Sequence, residues 1–214
     1  MFILDLSGGN LCKNHFPTIK KMIDSISKID KERKITLKWQ LFKKAGLNIP
    51  LSHESFRQAY EYAKSLGFKT TASVFDKKSL DFLLTFDIPF VKIANNSDLY
   101  YLIDKIPRGI LLICSIDLYS FHFSNCLKCF YNNSYIHCVS KYPAQIKDYE
   151  KEHTAPDLFL CNGLSDHTIS WDLYRKYKPK IYECHYVLEH DSNNLDGGLF
   201  ARTPEMLKEI IDEI

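Results

Sequence analysis

Residues 158–187 read "LFLCNGLSDHTISWDLYRKYKPKIYECHYV". Two β-rich runs, 158–165 and 180–187, flank a Trp-containing helical pattern. At the end of the first run the chain places an Asp-His pair, Asp166 and His167, at the mouth of a buried strand. Ionisable groups in such a position cost free energy unless something binds them.

The same alternation extends back through the chain. β-Rich runs at 2–7, 35–40, 69–74, 89–94, 109–116 and 134–139 bring the total to eight. Between them lie "FPTIKKMIDSISKI", "SHESFRQAYEYAKSLG" and "DKKSLDFLLTF", the second opening at Ser52 and Glu54 and closing at Gly67 with helix start and stop chemistry. The last segment, "TPEMLKEIIDEI", begins with a Thr-Pro cap. The connection "DLYSFHFSNCLKCFYNN" is aromatic and irregular, and is the weakest helical pattern. Eight strand–helix units without a Gly-rich phosphate loop predict α/β architecture as a closed (β/α)8 TIM barrel rather than an open doubly wound sheet. The 214 residues and 45% hydrophobic content predict one compact barrel spanning 1–214.

Lys and Arg number 28 against 26 Asp and Glu, and a net charge of +2 offers no electrostatic reason to expect nucleic acid or an anionic membrane as partner. The first ten residues are interrupted too soon by Asp5 for a signal peptide, and no apolar run approaches the roughly 18 residues of a membrane span. A soluble cytoplasmic protein is expected. The odd count of seven cysteines argues for reduced thiols. Cys114, Cys138, Cys161 and Cys184 sit in apolar runs as small core residues. "CLKC" at 126–129 has zinc spacing, but no second pair accompanies it.

In a barrel of this kind chemistry belongs at the C-terminal ends of the strands. Those ends hold Asp5, Lys38 with Gln40, Ser73, Lys92 with Asn95, Ser115, His137 with Tyr142, Ser165 with His167, and Glu183 with His185. Residues two apart on a strand share a face, and neighbouring strands 7 and 8 would bring His167 beside His185. Taken singly, a Lys near a strand end is more often a snorkelling surface residue and a lone His a satisfied core residue. Two lysines, two histidines and three serines on one rim are different, because a nearly neutral protein has little reason to gather cations without an anionic ligand. Ammonium groups with hydroxyl donors suit a phosphate or carboxylate. Adjacent imidazoles, with Glu183 behind them, make an incomplete metal site with positions open to water and a carbonyl oxygen.

At these residues the chain resembles the N-acetylneuraminate (sialic acid) synthase family and its legionaminate and pseudaminate relatives, from about residue 35 to 207. "LKWQ", "TASVFD" and "VKIAN" are similar to the family's Lys-Phe-Gln, Ser-Thr-Pro-Phe-Asp and Lys-Ile-Ala-Ser strands. "IHCVSKYPAQ", "GLSDHT" and "YECHYVLEHDSNNLDGG" carry its His-Cys…Tyr-Pro, Ser-Asp-His-Thr and Glu-x-His…Asp motifs in order on successive strands, and these three are the specific ones.

The resemblance implies a divalent metal on His167 and His185, manganese in the first place with magnesium or cobalt as alternatives. It implies phosphoenolpyruvate on Lys38, Lys92, Ser115, Ser165 and Tyr142, with Ser73 where the family has Thr, and an N-acyl sugar facing Gln40 and Asp196. Lys38, Gln40, Glu183 and His185 would be the catalytic residues. The implied reaction adds C3 of phosphoenolpyruvate to an aldehyde, then water at C2, with loss of phosphate through C–O cleavage. Asp5 falls near the family's first-strand Glu, and either Asn10 or Asn14-His15 matches its Asn-His.

Departures accompany the resemblance. Asn95 and Ser140 replace the usual Ser and Asn, and Asp117 puts a carboxylate near the expected phosphate pocket. The loop after the second strand is short, and the sequence ends at Ile214, where relatives continue into an antifreeze-like domain. A homodimer or a separate antifreeze-like domain protein is therefore the expected partner. Two other readings compete: a catalytically silent barrel that binds a sugar or a synthase partner, and a barrel enzyme of aldolase or Kdo-8-phosphate synthase type. A degraded enzyme should lose costly polar residues at the rim, and both histidines and both lysines are present.

Overall fold

The computed structural model describes residues 1–42, 46, 48–118, 133–150 and 161–214. Eight parallel strands close a barrel in sequence order: β1 (Phe2–Asp5), β2 (Ile35–Leu41), β3 (Lys69–Val74), β4 (Val91–Ile93), β5 (Leu112–Ile116), β6 (Asn133–Cys138), β7 (Gly163–Asp166) and β8 (Ile181–His185). The ring shuts where β1 pairs with β8, with Ile3 opposite Glu183 and Asp5 opposite His185. This is the (β/α)8 barrel expected from the alternation of runs.

Among the described residues the helices outside the barrel are α1 (Gly9–Cys12), α2 (Phe16–Ile29), α3 (His53–Ser65), α4 (Lys77–Leu83), α5 (Ile146–Tyr149), α6 (Asp172–Tyr177) and α7 (Pro204–Ile210), with 3-10 helices over Ser97–Lys105 after β4 and Ile211–Glu213 after α7. Their local chemistry explains their limits. Ser52 Oγ accepts from Ser55 N at 3.0 Å to start α3, and Gly67 at φ +87° takes the left-handed turn that follows its C-terminus. Asp76 and Ser79 form a reciprocal cap on α4. Thr203 caps α7 with Pro204 in its first turn. In α2, Ile19, Met22, Ile23 and Ile26 form one buried stripe at helical spacing.

Period-two alternation then builds the barrel interior. Ile3, Phe90, Ile113, Ile136 and Ile181 form a separate apolar cluster. Two residues further along the same strands stand Asp5, Lys92, Ser115, Cys138 and Glu183, all of which line one cavity. An apolar plug therefore lies beneath a polar layer, on which the strand C-terminal ends open. Each plug residue contributes about 1.5–3 kcal/mol by burial and keeps water from reaching the polar layer from below.

Several run boundaries differ from expectation. β5 begins later than 109, because Ile110 N closes a turn on Pro107 O, and β4 begins at Val91 rather than 89. β7 begins at Gly163, and residues 158–160 of its expected run lie outside the described residues, as do "CLKC" at 126–129 and most of the irregular connection after β5. Cys12, Cys114, Cys138, Cys161 and Cys184 are buried and form no disulfide. Among the described residues no helix is long and apolar enough to cross a membrane.

Candidate active site

A cavity of about 290 Å³ opens at the C-terminal end of the barrel. All eleven expected site residues line it: Lys38, Gln40 and Ser73 from β2 and β3; Lys92 and Ser115 from β4 and β5; Tyr142, Ser165 and His167 after β6 and in or after β7; and Glu183, His185 and Asp196 in and after β8. His137 does not join them. It faces outward from β6 against Tyr149, with ring centroids 5.4 Å apart. Asp117 is absent from the lining, and its backbone N donates to Asn95 Oδ1 at 3.2 Å.

The floor is an alternating charge network. Lys38 Nζ lies 2.6 Å from Asp5 Oδ2 and 3.6 Å from Glu183 Oε2, while Lys92 Nζ lies 3.7 Å from Glu183 Oε1. Both lysines are only 2% exposed, so neither is a snorkelling surface residue. Lys38 also donates to Ser73 Oγ at 3.0 Å, and Lys92 to Ser115 Oγ at 2.6 Å and Ile93 O at 3.1 Å. The cations are thus paired with two carboxylates rather than gathered bare, as the sequence had suggested. Lys38 keeps its proton, because the attraction of Asp5 and Glu183 outweighs a desolvation that pulls the other way. Asp5 is held far below the ordinary carboxylate range. Burial opposes this, and Lys38, His185 and the hydrogen bonds from Lys38 and Ser7 overcome it.

Glu183 is the looser member. Its Oε1 accepts from Ser165 Oγ at 3.2 Å, and its buried Oε2 has no hydrogen-bond partner. That oxygen is placed to accept from a water or a ligand proton. The carboxylate that approaches His185 Nε2 is Asp5, at 4.0 Å, and not the Glu183 expected there.

His167 and His185 are neighbours, with ring centroids 5.4 Å apart. His167 Nδ1 faces the carbonyl of Val139 at 2.7 Å. A carbonyl can only accept, so Nδ1 carries the hydrogen and the Nε2 lone pair is free to bind a ligand. Burial, and then His185, push the His167 ring down to about 3, which keeps it neutral. In His185, Nδ1 is buried without a hydrogen-bond partner. Two imidazoles with donor nitrogens not otherwise used fit a divalent cation. Among the described residues no set of three His, Cys, Asp or Glu side chains could hold one, so its remaining ligands would come from water and substrate.

The rim adds residues that the strand-end count missed. Ser7, at φ +66°, directs its hydroxyl to Asp196 Oδ2 and its backbone N to Asp5 Oδ1. Asn10 Nδ2 donates to the same Asp196 oxygen at 2.7 Å. Of the two Asn matches left open by the sequence, Asn10 therefore reaches the site, whereas Asn14 ties down Pro50 O and Ser52 N. Gln40 Nε2 donates to Asp5 Oδ2 at 2.8 Å, which turns its carbonyl oxygen away from that carboxylate. Asn95 Nδ2 donates to Ser140 Oγ at 3.1 Å, so the two departures from the family pattern touch each other. Tyr142, 53% exposed, lies against His167 with centroids 4.2 Å apart.

A sequence model of the NeuB family matches residues 18–214. The uncharacterized protein MJ1065 of Methanocaldococcus jannaschii is 27% identical over 190 residues, covering 82% of this chain and 55% of its own length. The N,N'-diacetyllegionaminic acid synthase of Legionella pneumophila is 28% identical over 184 residues, or 78% and 51%. The chain thus spans about half the length of these curated relatives. A solved N-acetylneuraminic acid (sialic acid) synthetase from Leptospira borgpetersenii superposes with a TM-score of 0.78 at 18% identity, covering 99% of this chain and 81% of that one. At that identity the likeness establishes the barrel alone.

Proposed function

The chain belongs to the NeuB family, and from that membership we propose that it condenses phosphoenolpyruvate with an N-acyl hexosamine aldose to give a sialic-acid-like nonulosonate and phosphate. The observation that supports this reading best is the presence of two lysines, a Glu183 oxygen that makes no hydrogen bond and two adjacent imidazoles in one cavity above an apolar plug. The N,N'-diacetyllegionaminic acid synthase among its relatives supports an N-acylated sugar as the acceptor.

Each residue has a part that follows from its chemistry. Lys38 and Lys92, with Ser73, Ser115 and Ser165, bind the phosphate and carboxylate of phosphoenolpyruvate through charge-assisted hydrogen bonds. The enclosed floor strengthens those bonds by excluding water. Tyr142 covers the ligand at the rim. Gln40 offers its carbonyl oxygen to a sugar N–H or hydroxyl, and Asp196 accepts sugar hydroxyls. His167 and His185 would hold the divalent cation, manganese in our reading, which when bound supplies Lewis-acid polarisation of the aldehyde. C3 of phosphoenolpyruvate bonds to the aldehyde carbon as the C2=C3 electron pair moves, and Glu183 Oε2 takes a proton from the water that adds at C2 and passes it to the former aldehyde oxygen. The C2–O bond to phosphate then breaks, the C2 hydroxyl gives its proton to the departing phosphate, and C2 becomes the product's ketone. A second copy of the chain or an antifreeze-like domain protein is the proposed partner on the sugar side.

The test is phosphate release from phosphoenolpyruvate by the purified chain with Mn2+, across a panel of N-acyl hexosamines, alone and with a separately expressed antifreeze-like domain. Release that needs both Mn2+ and an N-acyl aldose supports the reading. Phosphoenolpyruvate and sugar binding without release under any pairing would favour the silent barrel.

A further inference from the structure

The charged groups that this chemistry leaves unused lie behind the imidazole pair, between β7, β8 and the N-terminal end of α7. Arg202 is fully buried there. Its Nη1 donates to Thr168 O at 2.5 Å and Phe200 O at 2.9 Å, and its Nη2 to Ser170 O at 2.6 Å and Asp166 Oδ2 at 3.0 Å. The guanidinium stacks over Trp171, 4.7 Å from the ring centroid. A guanidinium removed from water is costly unless its donors are met. Nη2 also reaches Tyr182 OH at 3.5 Å, and only Nε makes no hydrogen bond. Three of the five acceptors are backbone carbonyls, so the main chain is chiefly what this side chain organises.

That main chain carries both imidazoles. Thr168 directly follows His167, and Arg202's own backbone N donates to His185 O at 2.7 Å. Asp166 grips the same turn from the other side. Its Oδ1 accepts from Thr168 N at 2.7 Å, bridging over His167, and its Oδ2 accepts from Tyr182 OH on β8 at 2.5 Å. Period two turns Asp166 outward to this network while Ser165 and His167 face the cavity. The Asp-His pair thus divides into a buried anchor and a cavity ligand. One ion pair is thereby fastened to the backbone beside each histidine.

We propose that Arg202 and Asp166 are positioning residues that set the relation of His167 to His185, and through it the affinity for a divalent cation. The proposal rests on the cation site of the functional reading. Lys at 202 keeps the charge but lacks the planar fork that reaches carbonyls of residues 168, 170 and 200 together.

The experiment uses Mn2+ alone, titrated into the purified chain and into Arg202→Lys, Arg202→Met and Asp166→Asn, with free Mn2+ followed by electron paramagnetic resonance and folding by circular dichroism. Arg202→Met serves if the polar variants do not fold. We expect folded variants whose Mn2+ affinity falls about tenfold or more, the scale for groups that orient metal ligands, with inorganic phosphate affinity unchanged. Ile23→Ala, which removes buried side-chain atoms from α2 away from the cavity, should lower the melting temperature and leave Mn2+ affinity intact. Folded variants with wild-type affinity would overturn the proposal, as would an equal loss in Ile23→Ala. A wild-type chain that takes up no Mn2+ would refute the cation site itself. The positioning role is then decided by 15N-histidine spectra. The wild type should show His167 as the Nδ1–H tautomer, the variants a mixture, and identical spectra would overturn it.

Discussion

Asp5 and Lys38 sit directly opposite each other on β1 and β2, and their side chains meet at 2.6 Å in the floor of the barrel cavity. Neighbouring parallel strands put both groups on the inward face at one level, so the pair is a product of register. Removing Lys38 leaves the buried Asp5 carboxylate with hydrogen bonds from Ser7 N and Gln40 Nε2 but without its close cation. Lys38→Met should therefore destabilise the chain by about 3–5 kcal/mol, measured by urea unfolding, and Asp5→Asn combined with it should recover part of the loss. Additive losses in the double variant would show that the two do not interact.

Lys92 is the better residue for isolating anion binding, since its closest partner is the neutral Ser115 hydroxyl. Lys92→Ala should weaken phosphoenolpyruvate binding by about 1.5–3 kcal/mol, the range for hydrogen bonds to charged groups. Calorimetry giving wild-type affinity would remove Lys92 from the ligand site.

The metal-free chain should lose stability in mild acid partly through His167. Its ring is held at about 3 in the folded protein against an ordinary value of 6.5. Between those values the unfolded state binds a proton that the folded state does not, so stability rises with pH across this window. The contribution is fully present above about pH 6.5 and is lost as pH falls toward 3, at up to about 1.4 kcal/mol per pH unit. His167→Leu should show a shallower slope there. Equal slopes for the two proteins would contradict the buried neutral imidazole.

Gly163 begins β7 where β8 passes close. A Cβ built on it would meet Ile181 O at 1.9 Å, and a backbone atom cannot step aside as a side-chain end can. Gly163→Ala should cost about 1–3 kcal/mol or more by overpacking, read as a lower urea midpoint. A variant as stable as the parent would show that the two strands separate easily.

The parts of this molecule legible in the sequence are those governed by period. Runs of β-rich residues gave all eight strands, and steps of two gave the cavity-lining faces of β2, β7 and β8. What was hidden depends on tertiary approach. His137 looked like a rim residue, but it stands one position out of phase with Ile136 and Cys138 and so faces outward. Ser7 and Asn10 grip Asp196 from the opposite end of the chain, and no local pattern announces a contact across 186 residues or more. Asp5 was visible as a strand-end carboxylate, but its role as the partner of Lys38 needed the closed ring, and Arg202 carried no signal beyond being a charged residue before a helix cap.

The central claim is that the lysine floor and the imidazole pair form one composite site. It is tested most directly by adding Mn2+ to the chain saturated with phosphoenolpyruvate and measuring paramagnetic relaxation of the ligand's 31P resonance. We predict strong broadening in the wild type that disappears in a folded His167→Leu, His185→Leu variant still able to bind phosphoenolpyruvate. A sharp 31P line in the wild type at saturating Mn2+, or broadening that survives loss of both histidines, would contradict it.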